Sequence, residues 1–198
     1  PVRTPNDVEA FVNKILGYEK DPTKNGWNNN ILTAGSYLSA WMPSQVPLLA
    51  SPDSKSLGDT LYSKSIKPYW DGSREILYDI KRAHPGWKDV GLTQERLSEH
   101  LSKGYTFVDM MTHGNITFWK FLGTESYTTK NALSQENPNY TIITTEACHT
   151  NSFDSYKDNG DEEICLSEGF IRNPNSGVVA YLGNSRVGWE NDDSTRLG

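Results

Sequence analysis

The sequence predicts an α/β protein, a mostly parallel sheet with helices on both faces. Short buried-looking strands alternate with segments of helical apolar spacing, in the order strand, helix, strand, helix, strand; parallel neighbours require such crossovers. The chain has 198 residues, 35% of them apolar and 22% charged, enough for one domain with a full core. It contains no internal repeat, no low-complexity tract and no linker that divides it.

The first helix starts at Thr4, a cap followed by Pro5 at the first helical position and Asp7 in the first turn. Val8, Phe11, Val12, Ile15 and Leu16 follow helical spacing and predict one apolar, core-facing side. "DPTKNGWNNN" ends that helix, and "NILTAG" reads as a buried strand. Residues 40–56, rich in Pro and Ser, read as a long surface loop; "LGDTLYSKSI" follows as a short helix and "EILYDI" as a strand. Thr93 is the N-cap of the next helix, with Leu92 and Leu97 placed as a hydrophobic staple, Leu97 and Leu101 sharing a face, and Gly104 as the stop. "YTFVDMMT" is a strand running into His113-Gly114. A loop and a weak helix over 128–134 precede "YTIITTEA", a strand that runs into Cys148. "EEICLSEGFIRNP" reads as a helix stopped by Asn173-Pro174, and "SGVVAYLGN" as the last buried strand.

Several function classes are disfavoured at once. The net charge of −6, with no basic stretch, argues against a nucleic-acid partner. No apolar run approaches the roughly 20 residues of a membrane span. The opening "PVRTPND" and the ending "DDSTRLG" read as cuts through a longer protein, with further domains of the same protein expected. The two cysteines, Cys148 and Cys165, lie outside any CxxC motif and make no disulfide scaffold, though they would be able to pair in an exported protein. Cys148, His149, Cys165 and a distant His make a poor zinc set, so no metal site is expected.

Chemistry concentrates at two strand ends, "MMTHGN" and "TTEACHT". Open parallel sheets bind ligands at the carboxyl ends of their strands. If the two strands are adjacent and parallel, about 4.8 Å apart, His113 and Cys148 flank one point on the sheet edge and suit nucleophilic catalysis. Gly114, without a Cβ, lets a backbone N–H approach a bound carbonyl, and the N–H groups of Gly114 and Cys148 can together face a developing oxyanion.

These residues resemble the caspase-like clan of cysteine peptidases, in which one strand ends in His-Gly and the next in Ala-Cys. Over most of the chain the similarity is to the gingipain-like family, peptidase family C25. It is carried by "PVRTPNDVEAFVNKILGYEK", "LTQERLSEHLSKGYTFVDMMTHGNITFW", "IITTEACHTNSFD" and "CLSEGFIRNPNSGVVAYLGNSRVGW". The resemblance implies a caspase-like fold with residues 1–198 as one peptidase domain. It implies a cysteine endopeptidase acting on polypeptides at an extracellular or cell-surface location, with no required cofactor and calcium admitted as a structural ion. Cys148 is then the nucleophile, His113 the general acid, and Gly114 and Cys148 the oxyanion hole. Trp189 borders the substrate pocket, with Glu146 and His149 as further lining residues. An acidic residue orienting the histidine is expected upstream, and Asp59 is the choice over Asp53. Family members often carry a Gly in the loop just after the cysteine, where this chain reads His149-Thr150-Asn151. A surface-anchoring transpeptidase of the same family and a catalytically silent binding module are the alternatives.

The remaining candidates have ordinary readings. Cys165, on the apolar side of its helix, is expected in the core. His149 is taken as loop or pocket lining, because successive residues of an extended chain point opposite ways. His84 and His100 are ordinary turn and surface residues, and Trp119 can serve packing alone. "DNGDEE", 158–163, lacks the alternating ligands of a calcium loop and reads as a solvated helix start. For a basic substrate residue Asp154, Glu190 and Asp192 are the acids close enough in sequence to consider.

Overall fold

The computed structural model describes residues 2–20, 28–36, 38, 54–79, 91–121, 124–156 and 159–188. The first helix, α1 (Pro5–Lys20), begins as expected, with the Thr4 hydroxyl accepting from the Asp7 N–H at 3.2 Å. Its inward side differs from the expected one. Val8, Val12 and Leu16 are 46%, 45% and 40% exposed, and the buried residue is Lys14. The Lys14 ammonium donates to the carbonyls of Phe170, Ile171 and Asn173 at 3.1, 2.6 and 3.2 Å. A cation that meets three free carbonyls at a helix end offsets its desolvation, and that contact rotates the helix away from its valine stripe.

Five parallel strands form the main sheet in the order β2-β1-β3-β7-β8: β1 (Asn30–Ser36), β2 (Ser73–Asp79), β3 (Phe107–Met111), β7 (Thr141–Thr145) and β8 (Val178–Leu182). Leu32, Ala34, Leu77, Val108, Met110, Ile143 and Val178 turn to one face and build the core with α3 (Gln94–Lys103), α4 (Thr129–Ser134) and α5 (Leu166–Arg172). On the other face α2 (Ser54–Leu61) packs on β1, with Gly58 against the Tyr78 hydroxyl and the Thr33 methyl. Helices therefore flank both faces, as the alternation of elements predicted.

The helix signals held at α3. The Thr93 side chain accepts from the Arg96 N–H, Leu92 and Leu97 are both buried, and Gly104 takes φ 82° at the stop. Two boundaries moved. The short helix after the Pro-rich loop ends at Leu61, widens into a π-turn, Tyr62–Ile66, and then tightens into a 3-10 turn, Lys67–Tyr69. The last helix starts only at Leu166, so Asp161 and Glu162 are exposed residues ahead of it, and the acid of its first turn is Glu168. Most of the loop expected over 40–56 lies outside the described residues.

The stretch after His113, read from sequence as a loop, holds a second, three-stranded antiparallel sheet: β4 (His113–Asn115), β5 (Phe118–Lys120) and β6 (Ser126–Thr128). Trp119, on β5, is fully buried, with ring centroids 5.7 Å from Tyr127, 5.6 Å from Phe170 and 6.2 Å from Tyr181. This aromatic cluster fastens the small sheet to the main core. His113 is therefore both the exit of β3 and the entry of β4, which fixes its backbone from two directions.

Candidate active site

Strands β3 and β7 are hydrogen-bonded neighbours, Phe107 opposite Ile142 and Met110 opposite Thr145, so their carboxyl ends emerge side by side. Thr145 strengthens the junction, its hydroxyl donating to the Met110 carbonyl at 2.7 Å. His113 leaves β3, and Cys148 follows β7 in a turn over 148–151. Gly114 joins the two ends. A Cβ placed on it would stand 2.8 Å from Ala147 Cβ, 2.8 Å from Thr150 Cγ2 and 3.0 Å from the Cys148 carbonyl. The absent side chain is what lets the His-Gly strand lie directly on the cysteine turn.

Both cysteines are free; Cys148 is half-buried and Cys165 fully buried. Burial is the largest influence on the Cys165 thiol and pushes it above its ordinary value, the behaviour of an inert core cysteine. The Cys148 sulfur faces the Gly188 carbonyl at 3.8 Å. His149 has φ 58°, in the left-handed region, so the chain here is a tight turn and the extended geometry expected at that position does not apply. The His149 carbonyl accepts from the Ser152 N–H at 3.0 Å, closing the turn.

A second segment, 183–188, straps the cysteine turn from outside. The N–H groups of His149 and Asn151 donate to the carbonyls of Arg186 and Asn184 at 2.9 and 3.1 Å. The Ser152 hydroxyl donates to the Ser185 carbonyl, and the Asn184 amide to the Glu146 carbonyl at 2.8 Å. Thr150, buried beneath, donates its hydroxyl to the Ala147 carbonyl at 3.2 Å, and its backbone carbonyl accepts the Ser167 N–H of α5 at 3.0 Å. The cysteine turn is thus held by β4 on one side, by the strap on another and by α5 below.

The His113 Nε2 lies 2.6 Å from the Leu38 carbonyl, just past β1. A carbonyl only accepts, so Nε2 carries the hydrogen and in the neutral ring the lone pair sits on Nδ1. Asp59, expected to orient this ring, has Oδ1 2.8 Å from Arg74 Nη1. Arg74 pairs with Ile31, the second residue of β1, and so stands toward the entering end of the sheet, while Leu38 and His113 lie beyond the exit ends.

Glu146 is exposed as a residue, yet burial of its carboxyl pushes it above its ordinary value, opposed by the Asn184 amide. Asp154 is engaged at the surface by both Arg186 terminal nitrogens at 3.1 and 2.7 Å. Trp189, Glu190, Asp192, Asp53 and His84 lie outside the described residues. His100 is tied to the core, with Nδ1 2.9 Å from the Tyr105 hydroxyl. Among the described residues no group of three or more His, Cys, Asp and Glu side chains could hold a metal ion, and no helix is long and apolar enough to cross a membrane.

Three features of the site have no sequence signal. The Leu38 carbonyl is a backbone group that any residue supplies. The strap acts mainly through carbonyls. Thr150 stands in a polar run that reads as turn, and only its burial distinguishes it.

The family model described as peptidase family C25 matches residues 1–197. No curated protein matches the sequence. Among solved structures, one described as a protease superposes with TM-score 0.68 at 19% identity, covering 99% of this chain and 38% of that one. Gingipain R, described as an Arg-specific cysteine proteinase, superposes with TM-score 0.64 at 17% identity, covering 91% and 37%. A complex of the pro- and mature domains of RgpB from Porphyromonas gingivalis gives TM-score 0.60 at 15% identity, covering 91% and 38%. The chain thus spans well under half the length of these structures, and at these identities the likeness is one of fold, the caspase-like fold.

Proposed function

We propose, on the premise that the chain belongs to peptidase family C25, that it carries the nucleophile and the histidine of a cysteine endopeptidase. One observation carries the reading: the exit ends of β3 and β7 converge so that Gly114 lies on the carbonyl of a half-buried Cys148.

In the proposed reaction the Cys148 thiol gives its proton to Nδ1 of His113, and the thiolate attacks the peptide carbonyl carbon. The negative charge that forms on the carbonyl oxygen is met by the N–H groups of Gly114 and Cys148. As the C–N bond breaks, His113 returns the proton from Nδ1 to the leaving amine, leaving a thioester on Cys148. Water then attacks the thioester and releases the acid and the free thiol. Throughout, Nε2–H stays on the Leu38 carbonyl, which we assign as the orienting group; Asp59 is retained as the competing choice for that role. The thiol and imidazole supply both nucleophile and proton, so the reaction asks for no cofactor; calcium remains admitted as a structural ion. Glu146, His149 and Trp189 are assigned to the substrate pocket, in a protein that works outside the cell or at its surface.

The test is hydrolysis of a fluorogenic peptide panel varied at the residue before the scissile bond, using full-length protein beside Cys148→Ala and Asp59→Asn. Cleavage that Cys148→Ala abolishes, and that Asp59→Asn changes less than about threefold, supports the assignment. A loss of about 10⁴-fold in Asp59→Asn moves the orienting role to the carboxylate. Adding an amine acceptor separates hydrolysis from transpeptidation: an aminolysed product that replaces the acid selects the transpeptidase.

A further inference from the structure

Beneath the cysteine turn, on the core side of β8, the Tyr181 hydroxyl and the Trp119 indole nitrogen are both buried and neither closes a hydrogen bond within normal geometry. Their rings stack, centroids 6.2 Å apart and planes 14° apart. Gly183 places the phenol beside Thr150: a Cβ there would stand 2.6 Å from Tyr181 Cε1 and 3.4 Å from Thr150 Oγ1. Thr150 is the residue whose hydroxyl donates to the Ala147 carbonyl at 3.2 Å and whose methyl packs under Gly114. Having donated its hydrogen, Thr150 Oγ1 has lone pairs left to accept. Thr150 and the Trp119 indole are the hydrogen-bonding groups that reach the phenol, both short of ideal geometry; an under-satisfied buried hydroxyl costs about 1–3 kcal/mol, so a Tyr where Phe fills the same space asks for a reason.

We propose that Tyr181 is a positioning residue: its hydroxyl donates to Thr150 Oγ1 and so holds the Ala147–Thr150 turn against Gly114, which fixes the backbone that carries the Cys148 sulfur. The inference rests on the assignment of Cys148 as nucleophile, but its readout does not require turnover.

The readout is the rate of Cys148 alkylation by iodoacetamide in the full-length protein, followed by mass spectrometry across pH, so that thiolate fraction and positioning separate. Buried Cys165 is the internal reference. Tyr181→Phe and Thr150→Val are each expected to slow alkylation of the thiolate by about fivefold, Thr150→Ser to keep the wild-type rate, and the double variant to be no slower than the slower single one. With a peptide substrate, kcat falls and KM holds. Tyr181→Phe alkylating at the wild-type rate overturns the proposal, as do single effects that multiply in the double variant. Should Tyr181→Phe not fold, Thr150→Val and Thr150→Ser still decide: equal rates overturn it. A wild-type protein that cleaves no peptide, yet shows this alkylation pattern, refutes the peptidase reading and leaves the positioning role standing.

Discussion

At the scale of single residues the site is built from positions that ordinary chemistry disfavours. His149, next to Cys148, adopts φ 58°, a conformation that costs a residue with a Cβ about 1 kcal/mol or more. The same position explains why a glycine suits this loop, a link invisible from sequence alone because the spacing does not reveal a left-handed turn. His149→Gly is expected to stabilise the fold by about 1 kcal/mol, read as a higher thermal midpoint; an unchanged or lower midpoint would mean that the imidazole's own contacts outweigh the strain. Asp109 on β3 is a second case. Its Oδ1 accepts from the Thr144 hydroxyl at 2.9 Å, while its Oδ2 is buried without a partner. Burial, chiefly, lifts its carboxyl to about 6, against the Thr144 hydrogen bond, with Glu146 adding to the rise and Arg74 opposing it. A folded-state value above the unfolded one means that the folded state holds its proton more tightly. Stability therefore falls as pH rises from about 4 to about 6 and is flat beyond. Asp109→Asn is expected to be the more stable protein at pH 7 by about 3 kcal/mol, with the advantage shrinking as pH falls to about 4. Denaturant titrations at the two pH values check it, and an equal difference at both would refute the assignment.

At the scale of elements, the alternation of strands and helices and the caps were legible, and the second sheet was not. Thr4 and Thr93 carry short-range signals, a hydroxyl facing a free N–H three residues on, and both caps formed. Strands β4, β5 and β6 are three residues each, too short for alternation to show, and their stability comes from Trp119 packing into the distant core. α1 failed for a related reason: apolar spacing named the valine stripe as the inner face, but the carbonyls at the end of α5 are satisfied by Lys14, a long-range contact. The joint between the two sheets is where an element-scale prediction belongs. Gly114→Ala pushes a methyl to 2.8 Å from both Ala147 Cβ and Thr150 Cγ2, closer than side chains tolerate. It is expected to cost about 1–3 kcal/mol in stability and to lower peptide cleavage at least tenfold, because the turn must give way. A variant with wild-type cleavage would show that the contact is slack.

At the scale of the whole molecule, the alternation of strands and helices foretold the parallel sheet, and the pairing of β3 with β7 brought "MMTHGN" and "TTEACHT" to one edge. What the residue pattern left open were contacts that depend on backbone alone: the Leu38 carbonyl at His113 and the strap of carbonyls over the cysteine turn. The central claim is that this edge holds one nucleophile, Cys148, served by His113. Incubating the full-length protein with a peptide bearing an electrophilic ketone, and locating the adduct by mass spectrometry, tests it most directly. The account predicts one adduct, on Cys148, absent in Cys148→Ala and formed at least tenfold more slowly in His113→Ala; an adduct that persists in Cys148→Ala, or one found on Cys165, would contradict it.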